Sequence, residues 1–144
     1  MTVEDNKRIV LALLENWLDP DYFAEAAHDD LEFVVEADAE FTPFAGAKTK
    51  AHTIETRRRS AARFPEGVTM TVQGIVAEGD HVAVRVVAEG AVAGGDGGPG
   101  GRYHNRAHIA FELRDGRIAR VHEYTDTAYL VGALARTTKH ISAR

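Results

Sequence analysis

The sequence predicts an α+β fold, an antiparallel sheet with helices gathered on one face. Three observations predict it. Apolar residues recur at helical spacing in the first part of the chain. After Phe64 the period changes to alternation. The alternating segments are mostly joined by short Gly- and Asp-containing turns, which make consecutive strands antiparallel neighbours. Helices that precede such a sheet cover one of its faces.

The elements follow in order. Thr2-Val3-Glu4-Asp5 has the form of a helix start, a hydroxyl followed three residues later by an acid. Ile9, Val10, Leu13, Leu14, Trp17 and Leu18 then form one apolar stripe. Asp19-Pro20 ends this helix and caps a second, whose apolar side is Tyr22, Phe23, Ala26 and Ala27. Leu31 to Ala37 reads as a strand with Leu31, Phe33 and Val35 on one face, and residues 42–46 as a loop. Lys48 to Phe64 reads as a third helix. Within it Arg57-Arg58-Arg59 is expected to be a solvated face, with an anion-binding rim as the alternative. Four strands follow, around 68–76, 82–88, 103–113 and 118–126. The turns are Glu78-Gly79-Asp80 and Arg114-Asp115-Gly116, and Gly94–Gly101 is a flexible hairpin connection. A short helical tail ends the chain.

The 144 residues suit one domain, 1–144, with 44% hydrophobic and 27% charged residues. The absence of cysteine excludes disulfides, thiolate zinc sites and cysteine nucleophiles. A net charge of −5 argues against nucleic acid as a partner. No apolar run approaches the roughly 18 residues of a membrane span, and the N-terminus lacks a secretory pattern. A soluble, cytoplasmic protein is expected. His104 and His108 share a strand face but lie about 10 Å or more apart, so no metal is expected. The glycine-rich stretch lacks the Lys-Ser/Thr ending of a phosphate loop.

Tyr103-His104-Asn105, Phe111, Asp115-Gly116-Arg117-Ile118 and Glu123-Tyr124-Thr125-Asp126-Thr127 resemble the C-terminal signature of SnoaL-like proteins. These belong to the nuclear-transport-factor-2-like superfamily, with ketosteroid isomerases, polyketide cyclases and limonene-epoxide hydrolases. The resemblance implies a cone: a curved antiparallel sheet wrapped around a largely apolar pocket, with the N-terminal helices on one face. It also implies a homodimer through the outer sheet face and a small apolar molecule as ligand.

Alternation puts Tyr103, Asn105, Ala107, Ile109, Phe111 and Leu113 on one strand face, expected inward because it is mostly apolar. On the last strand Ile118, Arg120, His122, Tyr124 and Asp126 share a face, and Ala119, Val121, Glu123 and Thr125 the other. Periodicity does not choose between them. The resemblance does, because an acid matching Asp126 serves as acid/base in SnoaL-like cyclases, which turns the His122 face inward. Catalysis is then expected from Asp126 and His122. Tyr103, Asn105, Tyr124, Trp17 and Phe111 would contact substrate, with no cofactor. A carboxylate at the mouth of an apolar pocket gains proton affinity by desolvation. Asp126-Thr127 ahead of Ala128-Tyr129-Leu130 also reads as a helix start, and Trp17 also reads as core.

Glu36 and Asp38 lie where ketosteroid isomerases keep their base, but the surrounding residues depart from that pattern and read as a solvated acidic loop. The hydrolase Asp-Arg-Asp arrangement lacks a third partner here. The expected function is cofactor-independent acid/base chemistry, of isomerase, cyclase or dehydratase type, on a small apolar or polycyclic carbonyl compound. Non-catalytic binding in the same pocket, or a scaffold with a residual pocket, are the alternatives.

Overall fold

The structure, a computed structural model, describes residues 1–94 and 99–133. Of the expected flexible connection Gly94–Gly101, residues 95–98 lie outside the described residues while 99–101 belong to a strand, and the end of the tail lies wholly outside them. The order is α1 (Val3–Glu15), α2 (Pro20–Ala26), β1 (Ala27–Val35), β2 (Gly46–Thr49), α3 (Lys50–Arg63), β3 (Thr69–Glu78), β4 (His81–Ala93), β5 (Pro99–Arg114) and β6 (Arg117–Thr125). A further helical segment covers residues 127–133. Among the described residues, no helix is long and apolar enough to cross a membrane.

Local chemistry sets the boundaries. The Thr2 hydroxyl accepts from Asp5 N at 3.0 Å while the Asp5 carboxylate accepts from Thr2 N at 3.0 Å, so the expected cap closes α1 reciprocally. Asp19 accepts from the amides of Asp21 and Tyr22, with Pro20 at the first helical position of α2. The β5–β6 turn has Asp115 at φ 52° and Gly116 at φ 74°, the paired positive φ of a type I′ hairpin turn. Gly90 lets the chain after α3 lie against β4, since a Cβ there would sit 2.7 Å from the Gly67 carbonyl oxygen.

The six strands form one curved, unclosed sheet in the order β2-β1-β6-β5-β4-β3. Neighbours are antiparallel except β1 and β6, which run parallel. The sequence reading left out β2, taking 42–46 for a loop and running α3 from Lys48. The strand is four residues long and borders only β1. Bulges interrupt the ladders at Val72/Gly74 and Glu112/Leu113, and such extra residues bend strands.

Helices α1 and α2 fill one half of the concave face. Val10, Leu13, Leu14 and Phe23 pack with Val84, Ile109, Phe111, Ile118 and Val121, all buried. In the other half α3 and the segment after β1 stand over Ala88, Ala107 and Thr125, whose short side chains leave the space between layers open.

Candidate active site

That open half is a cavity of about 420 Å³, a volume typical of small-molecule sites. Its walls include Trp17, Phe33, Phe44, Phe64, Met70 and Ala107, which are apolar. The polar groups come from two sides. Tyr103, Asn105, Glu123 and Thr125 project from β5 and β6, and Lys48, His52, Arg57 and Arg63 from β2 and α3.

The β5 row faces inward as alternation predicts: Tyr103, Asn105, Ile109, Phe111 and Leu113 are all buried. The β6 face is the reverse of the one expected. Phe111 pairs with Val121, Ile109 with Glu123 and Ala107 with Thr125. Directly paired antiparallel residues share a face, so Glu123 and Thr125 enter the cavity. The cause is one residue. Leu113 pairs with Ile118 and Glu112 with Arg120, which leaves Ala119 as the extra residue of a bulge. Without it Arg120 would lie opposite Phe111 and the His122 face would point inward.

The expected catalytic residues therefore lie elsewhere. Asp126 is exposed and absent from the cavity wall; its carboxylate accepts from Tyr129 N at 3.1 Å, capping the 127–133 helix. His122 sits on the outer face, its Nδ1 2.7 Å from the Glu36 carboxylate. Tyr124 is 55% exposed on that face, because it follows His122 and precedes the cap. Phe111 is in the closed core, too deep to line the cavity. Glu36 is taken up by His122, and Asp38 accepts from Glu40 N in its own turn. Tyr103, Asn105 and Trp17 do line the cavity.

Asn105 is held firmly. Its Nδ2 reaches Tyr103 Oη at 2.8 Å, Thr125 Oγ1 at 3.1 Å and the Asp126 carbonyl at 3.2 Å, and its Oδ1 accepts from Arg106 N. It ties the end of β6 to β5. Because Tyr103 accepts from Asn105, its own hydroxyl hydrogen is free to donate to something in the cavity. Burial pushes the Tyr103 hydroxyl up to about 12, so it stays protonated at neutral pH. The rings of Phe64 and Tyr129 stand edge-on to Tyr103, centroids 5.5 and 5.4 Å away, and fix its orientation.

Glu123 is the carboxylate that lines the cavity. No hydrogen bond within the described residues stabilises its charge. Burial raises its carboxyl above the ordinary value of 4.5, and the Arg57 cation opposes the rise. Arg57 itself overturns the solvated-face expectation for Arg57-Arg58-Arg59. It is 5% exposed, with its guanidinium carbon 4.0 Å from the Phe23 ring centre and 4.6 Å from that of Trp17. Only Arg58 and Arg59 are exposed. Glu123 could have been found from the spacing of Ile118 and Val121, two apolar residues three apart in an alternating strand. Arg57 carries no such signal beyond its place one turn after the buried Thr53.

The SnoaL-like domain family matches residues 12–121. No curated protein matches the chain. Solved structures that share the fold include the following three. IdmH of Streptomyces antibioticus, described as a polyketide cyclase, is 25% identical, covering 90% of this chain and 98% of that one, with a TM-score of 0.70. A protein of Jannaschia sp. CCS1 described as a SnoaL-like polyketide cyclase is 21% identical, covering 90% and 91%, with a TM-score of 0.72. An LEH-like epoxide hydrolase of M. tuberculosis is 21% identical, covering 98% and 97%, with a TM-score of 0.70. The family match and the bent sheet with its N-terminal helices agree: the chain belongs to the SnoaL-like domain family, within the nuclear-transport-factor-2-like superfamily.

Proposed function

We propose that the cavity is the active site of an acid/base enzyme, of isomerase, cyclase or dehydratase type, acting on a small, largely apolar carbonyl compound. Glu123 is the acid/base. The observation that carries this is a carboxylate with raised proton affinity on the wall of an apolar hollow that a protonated hydroxyl also lines. A carboxylate removes a proton next to a carbonyl more effectively as its proton affinity approaches the working pH. The Tyr103 hydroxyl, aimed by Asn105, donates to the enolate oxygen as charge develops there. The conjugate acid of Glu123 then returns the proton to another carbon or to a leaving oxygen. The apolar walls keep water from competing for the proton.

The hydrolase arrangement of two acids flanking an arginine is not assembled among the described residues, because Arg120 lies on the outer face and Glu123 is the one carboxylate of the wall. The homodimer implied by the family would use that outer face, where Tyr124 and Val76 are exposed.

The test is a panel of cyclic and aryl ketones assayed for isomerisation and for α-proton exchange with deuterated water. Glu123→Gln is expected to lose about 10²- to 10⁴-fold in turnover, while Asp126→Asn keeps it. Full activity in Glu123→Gln, or its loss in Asp126→Asn alone, contradicts the assignment.

A further inference from the structure

Arg57 is placed at odds with its own stability. Its guanidinium is buried among the rings of Phe23, Trp17 and Phe33, at 4.0, 4.6 and 5.3 Å. Its Nε and Nη2 have no hydrogen-bond partner, and it joins no salt bridge among the described residues. Ring faces offset part of the loss of water around a cation, but they leave N–H donors unsatisfied. Glu123 is near enough for each charge to be felt by the other, yet they do not meet as an ion pair. Arg57 keeps its charge even though burial lowers its proton affinity to about 10.

The surroundings add positive charge. Lys48, Arg59 and Arg63 line the same cavity, and Glu123 is its one carboxylate. Arg59, which lines the cavity, is itself exposed to solvent. By contrast, the shallower groove between α1, α2 and the Gly116 turn, about 490 Å³, has its Asp5 and Arg8 already paired at 2.8 Å.

We infer that the cavity takes a ligand with an aromatic or polycyclic body and an anionic oxygen group, a carboxylate or an ionised enol or phenol, which docks on Arg57 as its missing counterion. This rests on the cavity being the ligand site of the proposed enzyme and narrows its substrate class. The aromatic wall receives the body, and the guanidinium holds the anionic end. Glu123 faces the same space from β6, so an anchored ligand presents its remaining carbons to the base. Arg57 is then a specificity-determining residue, and Glu123 the one that moves protons.

The test is calorimetric titration of the full chain with 2-naphthoate and with 2-naphthamide, equal in shape and different in charge. Naphthoate is expected to bind about ten-fold or more tighter than naphthamide. Arg57→Gln should weaken naphthoate by about ten- to hundred-fold and leave naphthamide unchanged, while Arg58→Gln, exposed on the same helix, changes neither. Equal affinity of wild-type protein for the two compounds, or no saturable binding of naphthoate, overturns the inference without recourse to any variant. So does an Arg57→Gln protein that binds naphthoate like wild type. Glu123→Gln should bind naphthoate at least as tightly as wild type, because it removes a like charge. A missing naphthoate preference alongside lost turnover in Glu123→Gln refutes the anion site alone. A strong preference alongside intact turnover in that variant refutes the acid/base assignment alone.

Discussion

The two faces of β6 each carry charged side chains and put them to different uses. Outside, His122 lies 2.7 Å from Glu36 and 3.8 Å from Glu112, and Arg120 is 3.8 Å from Glu112. Each charge there has a partner and access to water. Inside, Glu123 is only partly exposed, faces the cavity and has no hydrogen-bond partner among the described residues. A glutamate between His122 and Tyr124, both on the outer face, acquires unusual proton affinity because of the direction it points. Parity along the strand, set by one bulged residue, decides which acid can do chemistry.

The comparison breaks most readily at the closed end of the inner face. Phe111→Ala leaves a void among side chains that cannot collapse into it, and should lower unfolding free energy by about 3–5 kcal/mol, read from denaturant titration. Tyr103→Phe sharpens the contrast at the open end. It should reduce turnover by about ten- to hundred-fold through loss of the enolate donor, while costing about 1 kcal/mol of stability or less, since Asn105 keeps Thr125 and the Asp126 carbonyl as acceptors.

Glu123 should also mark the pH dependence of stability. Its folded-state proton affinity is raised, so the folded protein holds a proton that the unfolded chain releases. The stabilising contribution is complete below the ordinary value of 4.5 and is lost as pH rises through the folded value. Thermal melts should therefore show Glu123→Gln more stable than wild type at neutral pH, with the difference vanishing on acidification below 4.5. The smallest effect is expected outside: His122→Ala should change stability by about 1 kcal/mol or less and leave turnover alone, as exposed ion pairs do.

The inward row of β5 was legible because its alternation from Tyr103 to Leu113 runs unbroken and one face is plainly apolar. The caps of α1 and α2 were legible because they are local chemistry. The inward face of β6 was not, because a count of two from the Asp115-Gly116 turn fails at Ala119, and the family motif then favoured Asp126. Only Ile118 and Val121, three apart, carried the correction. Arg57 was hidden in a run of three arginines, since what distinguishes it is a cage assembled from the turn after α1, from α2 and from β1. Such a cage exists only after those elements pack.

The most direct measurement is the titration of Glu123 itself, followed by carboxyl ¹³C NMR in wild type and in Arg57→Met. The Glu123 resonance should titrate above the ordinary carboxylate value, and higher still once the Arg57 cation is gone. A midpoint at the ordinary value, indifferent to Arg57, would place that carboxylate in water and remove the basis for a catalytic hollow.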